Sequence, residues 1–156
     1  MKTLKIKVYE YAELNEKAKE QARYWLLSSG LDSQFEWECT QEDAKNVDLI
    51  LEGTHHGTMK GHFLNGAVNT AEKILKEHGK TCETYKTAKE FLKAYNACED
   101  DSPEQDSLVE EFELSILEDY RILSDKNQEH IESEEYMADA MEANGYTFTE
   151  DGKRQG

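Results

Sequence analysis

Residues 47–64 read Val47-Asp48-Leu49-Ile50-Leu51-Glu52-Gly53-Thr54-His55-His56-Gly57-Thr58-Met59-Lys60-Gly61-His62-Phe63-Leu64. Val47 to Glu52 is rich in Val, Leu and Ile and reads as a strand. Thr54-His55-His56-Gly57 reads as a turn and Thr58 to Leu64 as a return strand, so the stretch is a β-hairpin. What flanks this hairpin decides the fold class, and both flanks are helical.

Upstream, Asn15 caps a helix over 16–29, with Glu16 in its first turn and Gly30 as its stop. Ala18, Ala22, Trp25 and Leu26 mark its inner face. A second helix over 33–46 uses Phe35, Trp37, Cys39 and Ala44. Downstream, a helix over 67–78 turns Ala67, Val68, Ala71, Ile74 and Leu75 inward and stops at Gly79. Thr81 then caps a helix that runs to Cys98, with Tyr85, Ala88, Leu92 and Tyr95 inward.

Glu99-Asp100-Asp101-Ser102 is a break, and the only proline, Pro103, suits the first turn of the next helix. From there Leu108, Phe112, Ile116, Tyr120 and Leu123 recur every three or four residues. Ser133 starts a further segment carrying Tyr136, Met137, Ala140 and Met141, closed by Asn144-Gly145. The periodicity leaves open whether 104–142 is one helix or two.

At the ends, Leu4, Ile6 and Val8 alternate with Lys5 and Lys7, which predicts a half-buried strand over 2–10. Tyr146 to Thr149 predicts a last strand, and 150–156 a loose C-terminus. The whole is an α+β chain. A small, mostly antiparallel sheet of three or four strands is covered by five to six helices, in one domain over 1–156.

The charge is strongly one-sided. The chain has 156 residues, a net charge of −16 and a pI near 4.7. That argues against electrostatic binding to nucleic acid or to an anionic membrane. Residues 1–80 are nearly balanced at −2, whereas 99–142 hold 17 acids and two bases, a net of −15. Glu104, Glu111, Glu118, Asp125 and Glu132 follow one another at intervals of seven. Seven residues are almost two helical turns, so the row drifts by only about 20° per step and its members sit about 10.5 Å apart. Glu129 fills a gap in it. Leu108, Phe112, Ile116 and Leu123 are expected on a separate, apolar face. Arg121 is spaced to pair with Glu118 or Asp125, and Lys126 with Glu129. Such a carboxylate row crudely imitates a line of phosphates and steers a basic partner.

The chemistry-bearing residues elsewhere are sparse. His55, His56 and His62 lie across the hairpin turn, with Glu52 nearest, yet they do not complete a zinc ligand set. His78 at a helix end suits the helix dipole as an imidazolium. Glu42-Asp43 and Glu118-Asp119 are adjacent acids on diverging faces and make poor acid–base pairs. Gly53, Gly57, Gly61 and Gly66 match no phosphate loop, and Cys39, Cys82 and Cys98 form no CxxC pair. With no apolar signal core and no long apolar run, the expected location is the cytoplasm, with reduced thiols. Neither a metal nor a cofactor is expected.

Several stretches carry a resemblance. Residues 8–25 (Val8-Tyr9-Glu10-Tyr11 through Arg23-Tyr24-Trp25), Glu42-Asp43-Ala44-Lys45, His78 through Lys89, Glu118-Asp119-Tyr120-Arg121, and Tyr146 through Gly152 resemble a family of small phage and prophage accessory proteins, some loosely labelled antitoxin. The stretch from His55 to Asn65 departs from that pattern. The resemblance brings no catalytic residues. It implies a phage gene acting in a bacterial host cytoplasm, where CRISPR effectors and restriction enzymes present basic channels. The expected function is therefore a non-enzymatic inhibitor of a basic, nucleic-acid-binding host defence protein. It would act through Glu104, Glu111, Glu118, Asp125, Glu129 and Glu132. Two alternatives stand beside it: an antitoxin-like neutraliser of one toxin, and a small-ligand or nucleotide sponge, or an enzyme, built on the His55–His62 hairpin and a neighbouring cleft.

Overall fold

Two separate antiparallel sheets, rather than one, share a chain dominated by helix. The structure is a computed structural model, and it describes residues 2–155. Strand β1 (Tyr9–Glu10) leads through a 3-10 turn (Tyr11–Glu13) into α1 (Glu16–Ser29) and α2 (Leu31–Asn46). The hairpin is β2 (Leu49–His55) and β3 (Thr58–Phe63). Then come α3 (Ala67–Glu77), α4 (Glu83–Ala97), α5 (Pro103–Ile131) and α6 (Glu134–Ala143). Strands β4 (Thr147–Phe148) and β5 (Arg154–Gln155) close the chain. The α+β class is as expected, and 104–142 is two helices, divided before Ser133.

The chain divides into two compact units. One runs from the N-terminus to Phe35 and resumes at Asn127; the other is Glu36–Lys126. In the first unit, Asn15 accepts the Ala18 amide at 2.9 Å and Gly30 closes α1 in the left-handed region at φ 67°. Ser133 caps α6 through the Tyr136 amide. Leu14, Ala18, Ala22, Met137, Met141 and Phe148 form the core. The expected strand over 2–10 shrinks to Tyr9–Glu10, which pairs with Thr147–Phe148. Leu4 is 87% exposed and Ile6 63%, so nothing covers the alternating face that a strand would need to bury. The C-terminus, expected to be loose, returns as β5 and pairs with β4. The Arg154 guanidinium lies 4.7 Å over the Tyr146 ring, and Trp25 meets Tyr146 edge-on at 5.2 Å. Gly152 is buried against α1: a Cβ there would sit 2.1 Å from the Ala18 carbonyl oxygen, and φ is 85°.

In the second unit the hairpin turns on two residues, His56 (φ 51°) and Gly57 (φ 77°). Both are left-handed, the geometry that matches strand twist, so the turn is tighter than the four residues expected. The register shifts between Leu51 and Gly53, leaving Glu52 in a bulge. Val47, Leu49, Leu51 and Met59 face a core shared with Ala71 and Ile74 of α3, Ala88 and Phe91 of α4, and Phe112, Ile116, Leu117 and Tyr120 of α5. Phe112 stacks on Phe91 at 4.3 Å and on Phe63 at 5.6 Å. Burying a side chain of this size contributes about 1.5–3 kcal/mol.

Four expectations for these helices change. Phe35 (64%) and Leu123 (42%) are exposed, as is Cys39, because α2 and α5 are each covered along a narrower stripe than the apolar spacing suggests. The N-cap of α4 is Cys82, not Thr81, and it makes no side-chain cap bond. Among the described residues no helix is long and apolar enough to cross a membrane.

Candidate functional site

Helix α5 supplies the acidic row. Its start is fixed where the sequence places it: Ser102 Oγ accepts the Gln105 amide at 3.3 Å, and Gln105, itself buried, donates to the Tyr95 carbonyl at 3.2 Å. The stripe Phe112–Ile116–Tyr120 then packs inward, which turns Glu104, Glu111, Glu118 and Asp125 out of the core, and all four are exposed. Glu129 and Glu132 are exposed as well but belong to the other unit, Glu132 lying just past the end of α5.

The row is neither pure nor wholly bare. Arg121 donates to both oxygens of Glu118 and, at 2.7 Å, to Asp125, so it clamps two of the four carboxylates. The guanidinium holds the Glu118 carboxyl below the usual range. Leu114 is exposed on the outer side of the same helix. Leu108, expected on a separate face, is only half-buried and shares shallow grooves of α4 and α5 with Glu104 and Glu111.

Sequence reasoning missed a second constellation. Asp43 of α2, His78 at the end of α3, Thr84 on the first turn of α4, and Asp119 and Tyr120 of α5 line one cleft of about 440 Å³ in the second unit. Buried Tyr120 donates its hydroxyl to Asp43 Oδ2 at 2.9 Å. The His78 side chain is 9% exposed. Its Nδ1 lies 2.6 Å from Thr84 Oγ1, while Nε2 faces Asp43 Oδ2 at 3.3 Å without hydrogen-bond geometry. Nε2 is thus a buried polar atom lacking a hydrogen-bond partner. His78 lies at the end of α3, as expected, and its buried side chain is also a component of this wall.

The electrostatics of the cleft are divided. The neighbouring His78 ring and the Tyr120 hydroxyl hold the Asp43 carboxyl below its ordinary value, against partial burial. Asp119 moves the other way. Burial raises it, a 2.6 Å bond from Thr87 opposes that, and the charges of Glu83 and Glu118 add to the rise. Burial, together with the Asp43 carboxylate, also pushes the Tyr120 phenol up. Asp43 and Asp119, on different helices of the same cleft, are therefore shifted in opposite directions. Residues 42–45, 78–89 and 118–121 each contribute lining residues.

The hairpin histidines do not converge. His62 pairs with Glu52 at 2.7 Å across the strands, and His55 packs on His56 at the turn. Among the described residues no group of three or more His, Cys, Asp or Glu is arranged to hold a metal ion. The cysteines are free, with Cys82 exposed at the mouth of the cleft.

No protein-family model, no curated protein and no solved structure matches this chain.

Proposed function

We propose that the chain is a non-enzymatic binding protein of a bacterial host cytoplasm. It blocks a basic, nucleic-acid-binding protein, a defence effector of the CRISPR or restriction kind, through the outer face of α5. The observation that carries this reading is the exposed row Glu104, Glu111, Glu118 and Asp125 on the side of α5 turned away from Phe112, Ile116 and Tyr120. With Arg121 clamping Glu118 and Asp125, the strongest unpaired charge lies toward Glu104 and Glu111. Exposed carboxylates contribute to encounter rate and to the exclusion of wrong partners more than to the affinity of any single contact. The interaction therefore weakens steeply with salt. The exposed Leu114 gives the same face an apolar component.

The test is capture of partners from a bacterial lysate at low and high salt, with duplex DNA as competitor and a charge-reversed row as control. Partners that leave with salt, are displaced by DNA and ignore the reversed row support the reading. Capture indifferent to all three overturns it.

A further inference from the structure

We infer that the Asp43–His78–Tyr120 cleft is a binding site for an organic cation, an amidinium, guanidinium or amine carried on an apolar body, with the Asp43 carboxylate as its counter-ion. The volume, about 440 Å³, falls in the range of small-ligand pockets, roughly 300–1,000 Å³. Two features of the wall select the ligand. Ile122 is 39% and Leu123 42% exposed at this cleft, so apolar surface on the occupant would be matched. Asp43, Glu77, Glu83 and Asp119 are also lining residues, against one base, Lys126. Four carboxylates repel an anion, and no metal-ligating group of side chains is present among the described residues. A cation with an apolar stem answers both features.

The buried groups point the same way. Tyr120 fixes Oδ2 of Asp43 from the core side, while the Asp43 side chain stays 51% exposed, so the carboxylate is held in place and still reachable. The His78 side chain, nine-tenths buried, backs the same oxygen: its Nε2 lies 3.3 Å from Asp43 Oδ2, an ion-pair contact outside hydrogen-bond geometry, so the carboxylate is braced by His78 as well as by Tyr120. This inference rests on the lining residues of the cleft, none of which belongs to the acidic row.

The experiment is titration of the full chain with benzamidine, followed by amide NMR and calorimetry. Saturable binding with shifts centred on Asp43, Thr84 and Tyr120 is expected, with benzamide, the neutral isostere, about tenfold weaker or worse and benzoate silent. Asp43→Asn keeps an acceptor for the Tyr120 hydroxyl, so it folds, and it loses about tenfold or more in affinity. Leu123→Lys, at an exposed site, tethers an ammonium at the cleft and competes benzamidine out. Glu104→Lys leaves benzamidine binding unchanged, which separates this site from the row. Two further arms identify the source of the cation: agmatine for a free small molecule, and a blocked Gly-Arg-Gly peptide for a protein side chain. Benzamide binding as well as benzamidine, or full affinity in folded Asp43→Asn, overturns the inference.

Discussion

Tyr120 and Asp43, 77 residues apart in the chain, are joined by a 2.9 Å hydrogen bond from the buried phenol to Asp43 Oδ2. This single contact ties α5 to α2 and sets the position of the carboxylate at the cleft. Tyr120→Phe removes the donor and keeps the ring in the core. It is expected to destabilise the chain by about 1–3 kcal/mol at neutral pH, the range for a hydrogen bond to a charged group and for a buried partner left unmade. The Asp43 carboxyl is lowered in the folded state, so its charge-linked stabilisation is present at neutral pH and fades as pH falls through its folded titration. Urea unfolding of both proteins at pH 7 and near pH 3 checks this. The difference between them shrinks in acid; an equal difference at both pH values would contradict the account.

Asp48 is a second carboxylate whose state is fixed by the fold. Asn65, Asn69 and Lys73 all donate to its Oδ2, at 3.0, 2.7 and 2.7 Å. Lys73 first, then the two amides, lower its pKa to about 2. Because the folded value is the lower one, the stabilisation is complete above the ordinary carboxylate range and is lost as pH falls toward 2. Asp48 has φ 60°, a conformation that asparagine tolerates, so Asp48→Asn removes charge without backbone strain. Melting temperature followed from pH 6 to pH 2 is expected to fall more steeply for the parent chain than for Asp48→Asn. Parallel curves would show that the clasp carries no pH-linked stability.

Gly61 has no room for a side chain. A Cβ there would lie 2.4 Å from the Ile50 carbonyl oxygen and 2.9 Å from Leu117 Cδ2, one on the partner strand and one on α5. The first obstacle is backbone and does not yield. Gly61→Ala is expected to cost about 1–3 kcal/mol and to lower the unfolding midpoint in urea. Gly57→Ala introduces strain without a clash, since nothing lies within 4 Å of its Cβ, and serves as the comparison.

Local signals were legible in the sequence and long-range ones were not. Asn15, Gly30, Pro103, Ser133 and Asn144-Gly145 marked helix ends correctly because capping and φ > 0 are decided by a few neighbouring atoms. The alternation Leu4–Ile6–Val8 failed because a strand needs a partner and a cover, and the local pattern specifies neither. Strand β5 was invisible for the converse reason: Arg154 and Gln155 lack strand patterning and are placed by β4 and the aromatic pair Trp25–Tyr146. The acidic row was readable because seven-residue spacing is a property of one helix. The cleft was not, since Asp43, His78, Thr84 and Tyr120 come from four helices or their ends. The spacing of six between His78 and Thr84 around Gly79 was its one local trace.

The central claim concerns the outer face of α5. Glu104→Lys, Glu111→Lys and Asp125→Lys change three exposed side chains and leave the Phe112–Ile116–Tyr120 stripe untouched. The measurement is lysate capture by the parent chain and by this triple variant, at about 50 mM and about 500 mM salt, with folding checked by circular dichroism. The account predicts a basic partner held by the parent chain at low salt, released at high salt and by duplex DNA, and never held by the folded variant. A partner retained at high salt by both proteins would contradict it.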